Sequence, residues 1–125
     1  MDYGRVPLKI EKKQMKPGIA VLMITGSLRM GPDCKQLGDK IEELMRGGES
    51  RLVFDLSGVH IMDSSGLGQI VTCFCKLKKS GGFLRLAGVG GTLSGILKMT
   101  HVDKVIKIYP TALAASEDVR PDGEA

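Results

Sequence analysis

Apolar residues recur along the chain in two alternating styles, short dense runs and longer stripes at helical spacing. The dense runs predict strands at Leu8–Lys12, Ile19–Thr25, Arg51–Leu56, Phe83–Ala87 and Val105–Tyr109. Between the first two stands Pro17-Gly18, a turn pair in which proline presets one central residue and glycine accepts positive φ at the next, so these strands are expected to form an antiparallel hairpin. The stripes predict helices. In Asp33–Arg46 the positions Cys34, Leu37, Ile41, Leu44 and Met45 share one face, Pro32 and Asp33 suit the first turn, and Gly47-Gly48 closes the helix. In Ser65–Lys79 the stripe is Leu67, Ile70, Val71, Phe74 and Leu77, with Lys76, Lys78 and Lys79 at the end that favours cations and Gly81-Gly82 beyond it. Shorter helices are expected at Thr92–Met99 and Thr111–Glu117. Ser57–Met62 reads as a connection with its own apolar residues, and Asp118–Ala125 as a disordered tail.

The resulting order, ββαβαβαβα, is that of an α/β domain. Strands separated by helices pair in parallel through crossovers, while the opening hairpin makes the five-stranded sheet mixed. The nearly unbroken apolar run Leu52, Val53, Phe54, Leu56 marks a strand covered on both faces or central in the sheet.

A length of 125 residues, 42% hydrophobic and 26% charged, fits one domain, expected over 1–117 with the tail at 118–125. The net charge of +4 is spread between Lys9–Lys16 and Lys76–Lys79 rather than gathered in one stripe. With three phenylalanines, two tyrosines and no tryptophan there is little for bases to stack on, so nucleic acid is not an expected partner. The polar, mixed-charge start Met1–Lys16 lacks the apolar segment of an export signal, which makes the expected location cytoplasmic, with no membrane insertion. Three cysteines, an odd number, then read as reduced thiols, Cys34 and Cys73 filling core space. His60 and His101 have no ligand spacing to the cysteines, so neither a metal nor a cofactor is expected.

The chemistry concentrates in Asp63-Ser64-Ser65-Gly66, between a buried strand and the clearest helix. Asp63 or Ser64 can cap the helix by accepting a first-turn amide, and Gly66 and Gly68 leave the helix start open to close approach. Free N–H groups and the positive dipole end favour a phosphate there. A phosphoserine would add a charge of about −1.5 to −2 that the domain can accommodate and a docked partner cannot.

Asp55-Leu56-Ser57-Gly58-Val59, followed by Met62-Asp63-Ser64-Ser65-Gly66-Leu67-Gly68, resembles the signature of the STAS domain, and more closely that of bacterial anti-sigma-factor antagonists. Ile24-Thr25-Gly26, Gly81-Gly82-Phe83 and Leu97–Val105 fit the same pattern. The resemblance implies the STAS fold: a mixed five-stranded sheet, an N-terminal hairpin and about four helices. A monomer or weak dimer is expected, and no set of residues reads as an active site, so the chain is expected not to be an enzyme and to have no catalytic residues. The resemblance further implies a partner that is both anti-sigma factor and serine kinase. The unmodified antagonist binds that partner and frees the sigma factor, phosphorylation of Ser64 breaks the complex, and a PP2C-type phosphatase restores it. The contacts implied are Asp63, Ser64, Ser65, Gly66 and Leu67, with Ser27 and Arg29 at positions where family members commonly carry acids. His101 stands where a glycine is usual, a position that often needs a left-handed backbone.

Other chemistries fit less well. Gly88-Val89-Gly90-Gly91 between a strand and a helix suggests a phosphate cradle, but lacks the full dinucleotide pattern and any Walker lysine–serine pair. Asp55 has Ser27 and Arg29 where a phospho-accepting aspartate needs further acids, so it is expected to bond nearby backbone. Ser64 has no nucleophile elbow, and His101 with Asp103 reads as solvated surface. The second functional reading is a non-switching STAS module, a scaffold or transporter-associated subunit, with a nucleotide as its candidate ligand.

Overall fold

The computed structural model describes residues 7–118. β1 (Lys9–Lys16) and β2 (Ile19–Leu28) form the expected antiparallel hairpin, with Gly18 at φ 79° in the turn. Next come α1 (Pro32–Arg46), β3 (Arg51–Met62), α2 (Ser64–Lys79), β4 (Phe83–Ala87), α3 (Gly91–Met99), a 3-10 turn at Val102–Lys104, β5 (Ile108–Tyr109) and α4 (Ala112–Glu117). The strands lie in the order β1-β2-β3-β4-β5, and every pair after the hairpin is parallel.

Successive parallel neighbours joined by helices place α1, α2 and α3 on one face of the sheet, as right-handed crossovers require. Leu22, Ile24, Phe54, Leu56, Leu84 and Leu86 from the strands meet Leu37, Ile41, Ile70, Phe74 and Leu97 from the helices in one core. Each such side chain contributes about 1.5–3 kcal/mol by leaving water. The other face has a smaller cluster, Val21, Val53 and Ala87 under Ala112 and Ala115 of α4. β3 is therefore covered on both sides, which explains its unbroken apolar run. Arg85 on β4 is also buried beneath α4. Its guanidinium lies 4.0 Å from the Phe83 ring centroid, and Nη1 donates to the carbonyls of Ala115 and Asp118, both at 2.7 Å. A charge so placed is tolerable because the end of a helix supplies its acceptors. Asp118, the first residue of the expected tail, also accepts from the Tyr109 hydroxyl at 2.5 Å; residues 119–125 lie outside the described residues.

Several boundaries differ from those the sequence predicts. Ser57–Met62 is not a connection but the second half of β3, pairing Thr25↔Gly58, Gly26↔Val59, Ser27↔Ile61 and Leu28↔Met62. Register shifts between Met23 and Thr25 and between Gly26 and Ser27 break the alternation that would have revealed it. β1 runs to Lys16 rather than Lys12 because an edge strand of mostly charged residues shows no apolar period. β5 keeps only two residues, since the amides of Val105 and Ile106 are taken by the Val102 carbonyl in the turn before it. Cys34 is half-exposed and donates through Sγ to the Arg29 carbonyl, whereas Cys73 is buried as expected. His101 does adopt the left-handed conformation, at φ 61°.

Candidate functional site

The site forms where the C-terminal ends of β2 and β3 meet the start of α2. The side chain that organises it is Asp63. Its backbone is extended, and it is the N-cap of α2: Oδ1 accepts the Gly66 amide at 2.9 Å. Oδ2 accepts the Met30 amide at 3.0 Å, so one carboxylate ties the start of α2 to the loop between β2 and α1. These backbone donors, Met30 first and Gly66 second, hold the Asp63 carboxyl below its usual value. The Asp63 amide in turn reaches the Leu28 carbonyl at 3.4 Å.

This junction leaves no room for a side chain at Gly66. A Cβ there would stand 2.2 Å from the Leu28 carbonyl oxygen and 3.0 Å from both Leu28 Cγ and Met62 Cγ. Gly66 is thus the point of closest approach between helix and sheet. Gly68, two residues on and round the other side of the helix, faces open space.

Capping by Asp63 frees Ser64. Ser64 is the first residue of α2, exposed, and its hydroxyl makes no hydrogen bond among the described residues. Ser65 is half-buried, and Leu67 packs against the main core. The structure therefore brings Asp63, Ser64, Ser65 and Gly66 together at one helix start. Leu67, half-buried like Ser65, packs one side against the core.

Ser27 and Arg29 part company. Ser27 is only 1% exposed, and its hydroxyl donates to Asp33 Oδ2 at 3.2 Å. Its side chain cannot reach a partner directly, contrary to the direct contact expected of it. Arg29 is half-exposed in the loop, with its amide on the same Asp33 oxygen at 3.0 Å. Asp33 was legible only as a dipole-complementing residue; in the structure it is the buried brace of the β2–α1 loop. Sequence reasoning also missed Met30, which is 72% exposed beside the Asp63 clamp, and the exposed Ile61 two residues before Asp63. An apolar residue directly before Gly31-Pro32, outside any periodic stripe, was the available signal for Met30. Together these residues make a rim with an apolar shoulder, a cation and a free hydroxyl.

No histidine or carboxylate hydrogen-bonds Ser64 to activate it as a nucleophile among the described residues. The Cys34 thiol is pushed up by burial and by the Asp63 and Asp33 carboxylates, which keeps it protonated. Asp55 turns its Oδ1 to the Ser57 amide and hydroxyl at 3.0 and 2.7 Å, the local bonding expected of it. No three His, Cys, Asp or Glu side chains are grouped to hold a metal ion, and no helix is long and apolar enough to cross a membrane, among the described residues.

A mixed sheet with three crossover helices on one face, and a serine presented at the start of the second, defines a class of small α/β domain. The family model of the STAS domain matches residues 12–115, and the chain belongs to that family. It is 34% identical over 79 residues, 63% of this chain and 70% of the relative, to a candidate anti-sigma factor antagonist of Thermotoga maritima. The crystal structure of a Thermotoga maritima candidate anti-sigma factor antagonist superposes with a TM-score of 0.76 at 28% identity, covering 93% of this chain and 95% of that one. The Bacillus cell fate determinant SpoIIAA in its phosphorylated form gives a TM-score of 0.70 at 18% identity, covering 90% of this chain and all (100%) of that one, a likeness of fold alone.

Proposed function

We propose that this protein is an anti-sigma-factor antagonist switched by phosphorylation of Ser64. In its unmodified form it docks through the rim of Met30, Arg29, Asp63, Ser64 and Ser65 onto an anti-sigma factor that is also a serine kinase, and a sigma factor is released. Gly66 sets the rim's position against the sheet; Ser27 acts from beneath, through Asp33. The kinase transfers the γ-phosphoryl group of ATP to Ser64 Oγ, the hydroxyl proton passing to a base of the kinase and ADP leaving. A PP2C-type phosphatase reverses this with water, returning serine and inorganic phosphate.

The observation that carries the reading is the division of labour at the start of α2. Asp63 caps the helix, so the neighbouring hydroxyl is left exposed and unbonded among the described residues. Phosphate placed there needs no refolding, and within a docked interface its charge costs affinity through desolvation and repulsion.

The test is phosphotransfer. The purified protein, incubated with ATP and each candidate serine kinase of its own source, is expected to gain one phosphate, located by mass spectrometry on Ser64 and absent from Ser64→Ala. No transfer by any of them, with binding to one of them retained, would support a non-switching STAS module instead.

A further inference from the structure

The rim around Ser64 carries one cation with a fixed backbone and an uncommitted charge. The Arg29 amide is held by Asp33 Oδ2 at 3.0 Å, its carbonyl accepts from Cys34 Sγ at 3.1 Å, and the next amide, that of Met30, is bound to Asp63 Oδ2 at 3.0 Å. These three bonds fix where the Arg29 side chain begins. The guanidinium makes no ion pair among the described residues, whereas Lys35 in the first turn of α1 is paired with Asp39 at 2.8 Å. The nearby carboxylates already serve donors: Asp33 Oδ2 takes the Ser27 hydroxyl and the Arg29 amide, and Asp63 takes Met30 and Gly66.

The Met30–Asp63 bond also sets the distance that matters. Arg29 precedes one end of it and Ser64 follows the other, each a single residue away. That gap is within reach of a guanidinium on its three-carbon stem. A planar fork of N–H donors matches phosphate oxygens in pairs, which an ammonium cannot do.

We propose that Arg29 holds the phosphate of phosphorylated Ser64 within the same chain. This deepens the reading of Ser64 as phosphoacceptor and rests on it. Phosphorylation then acts twice: it adds negative charge to the docking rim, and it withdraws the rim's cation from any acidic group on the partner.

The experiment needs no kinase, so its failure is distinct from failure of the phosphoacceptor reading. Phosphoserine is installed at position 64 during translation, and the phosphate is titrated by phosphorus NMR in the wild type, Arg29→Gln and Arg29→Lys. Asp33, Cys34, Lys35, His60 and Asp63, the other charged or titratable groups next to this rim, are the same in all three. An adjacent cation favours the dianion, so the second phosphate pKa, ordinarily about 6, is expected to lie roughly half a unit lower in wild type than in Arg29→Gln, with Arg29→Lys between. Arg29→Gln keeps the backbone amide that Asp33 binds, and an unchanged melting temperature checks that the loop is intact. The same phosphate pKa in wild type and Arg29→Gln would overturn the proposal.

Discussion

Two helices begin at the same end of this sheet, past the C-terminal ends of β3 and β4, each preceded by a stretch that looks suited to phosphate, and they are built differently. At the start of α2 the cap is a carboxylate, Asp63, which also clamps a neighbouring loop, and Gly66 is pressed against the Leu28 carbonyl. At the start of α3 the cap is Gly90, with no side-chain hydrogen bond, and Gly90 and Gly91 meet nothing within 4 Å. The close contact there is made earlier, by Gly88 at φ 67°, where a Cβ would come within 2.9 Å of Asp55 Oδ1. Glycine thus plays opposite parts. In α2 it permits an approach that positions the helix; at α3 it is only conformational slack. A glycine-rich string does not by itself make a site, whereas a cap that leaves its neighbour's hydroxyl free can.

Substitutions can break this contrast, and the largest effect is expected where packing is tightest. Gly66→Ala drives a methyl into a backbone carbonyl that cannot turn away, and should cost about 2–4 kcal/mol in urea unfolding. Gly91→Ala, in the open first turn of α3, should be neutral to stabilising by up to about 1 kcal/mol. Equal costs at the two positions would erase the distinction.

Next comes the clamp. Because backbone donors hold the folded-state pKa of Asp63 below its usual 3.8, its stabilisation is complete above that value and is lost as pH falls through the lower, folded-state one. Exchange protection of the Met30 and Gly66 amides should therefore persist at neutral pH and fall at acid pH. In Asp63→Ala both amides should exchange faster at neutral pH, the difference from wild type closing as pH falls through the folded-state pKa, with the amides of Ser94 in α3 and of its C-cap Thr100 unaffected. The smallest effect is a gain: Gly90→Asp supplies the missing cap in an extended backbone that accepts it, and should raise stability by a few tenths of a kcal/mol in thermal unfolding.

Much of this was legible in the chain. The stripe Leu67, Ile70, Phe74, Leu77 located α2, and Asp63-Ser64-Ser65-Gly66 located its start, because capping and helical periodicity are local properties. What escaped is what depends on distant partners. Met30 and Asp63 are 33 residues apart, and nothing in the string around either announces their hydrogen bond. The outer half of β3 was hidden by register shifts in its pairing with β2, and with it the fact that Ser27 lies inside the sheet's end rather than on the rim. Asp33 looked like an ordinary first-turn acid until the loop folded back onto it.

The central claim, that charge on one exposed hydroxyl decides docking, is tested most directly by affinity. Once the kinase partner is in hand, its binding to the unmodified protein, to Ser64→Ala and to the Ser64-phosphorylated form can be measured by calorimetry under identical conditions. Unmodified protein and Ser64→Ala are expected to bind alike, and the phosphorylated form at least about a hundredfold more weakly. Equal affinity of the phosphorylated and unmodified forms would contradict the account.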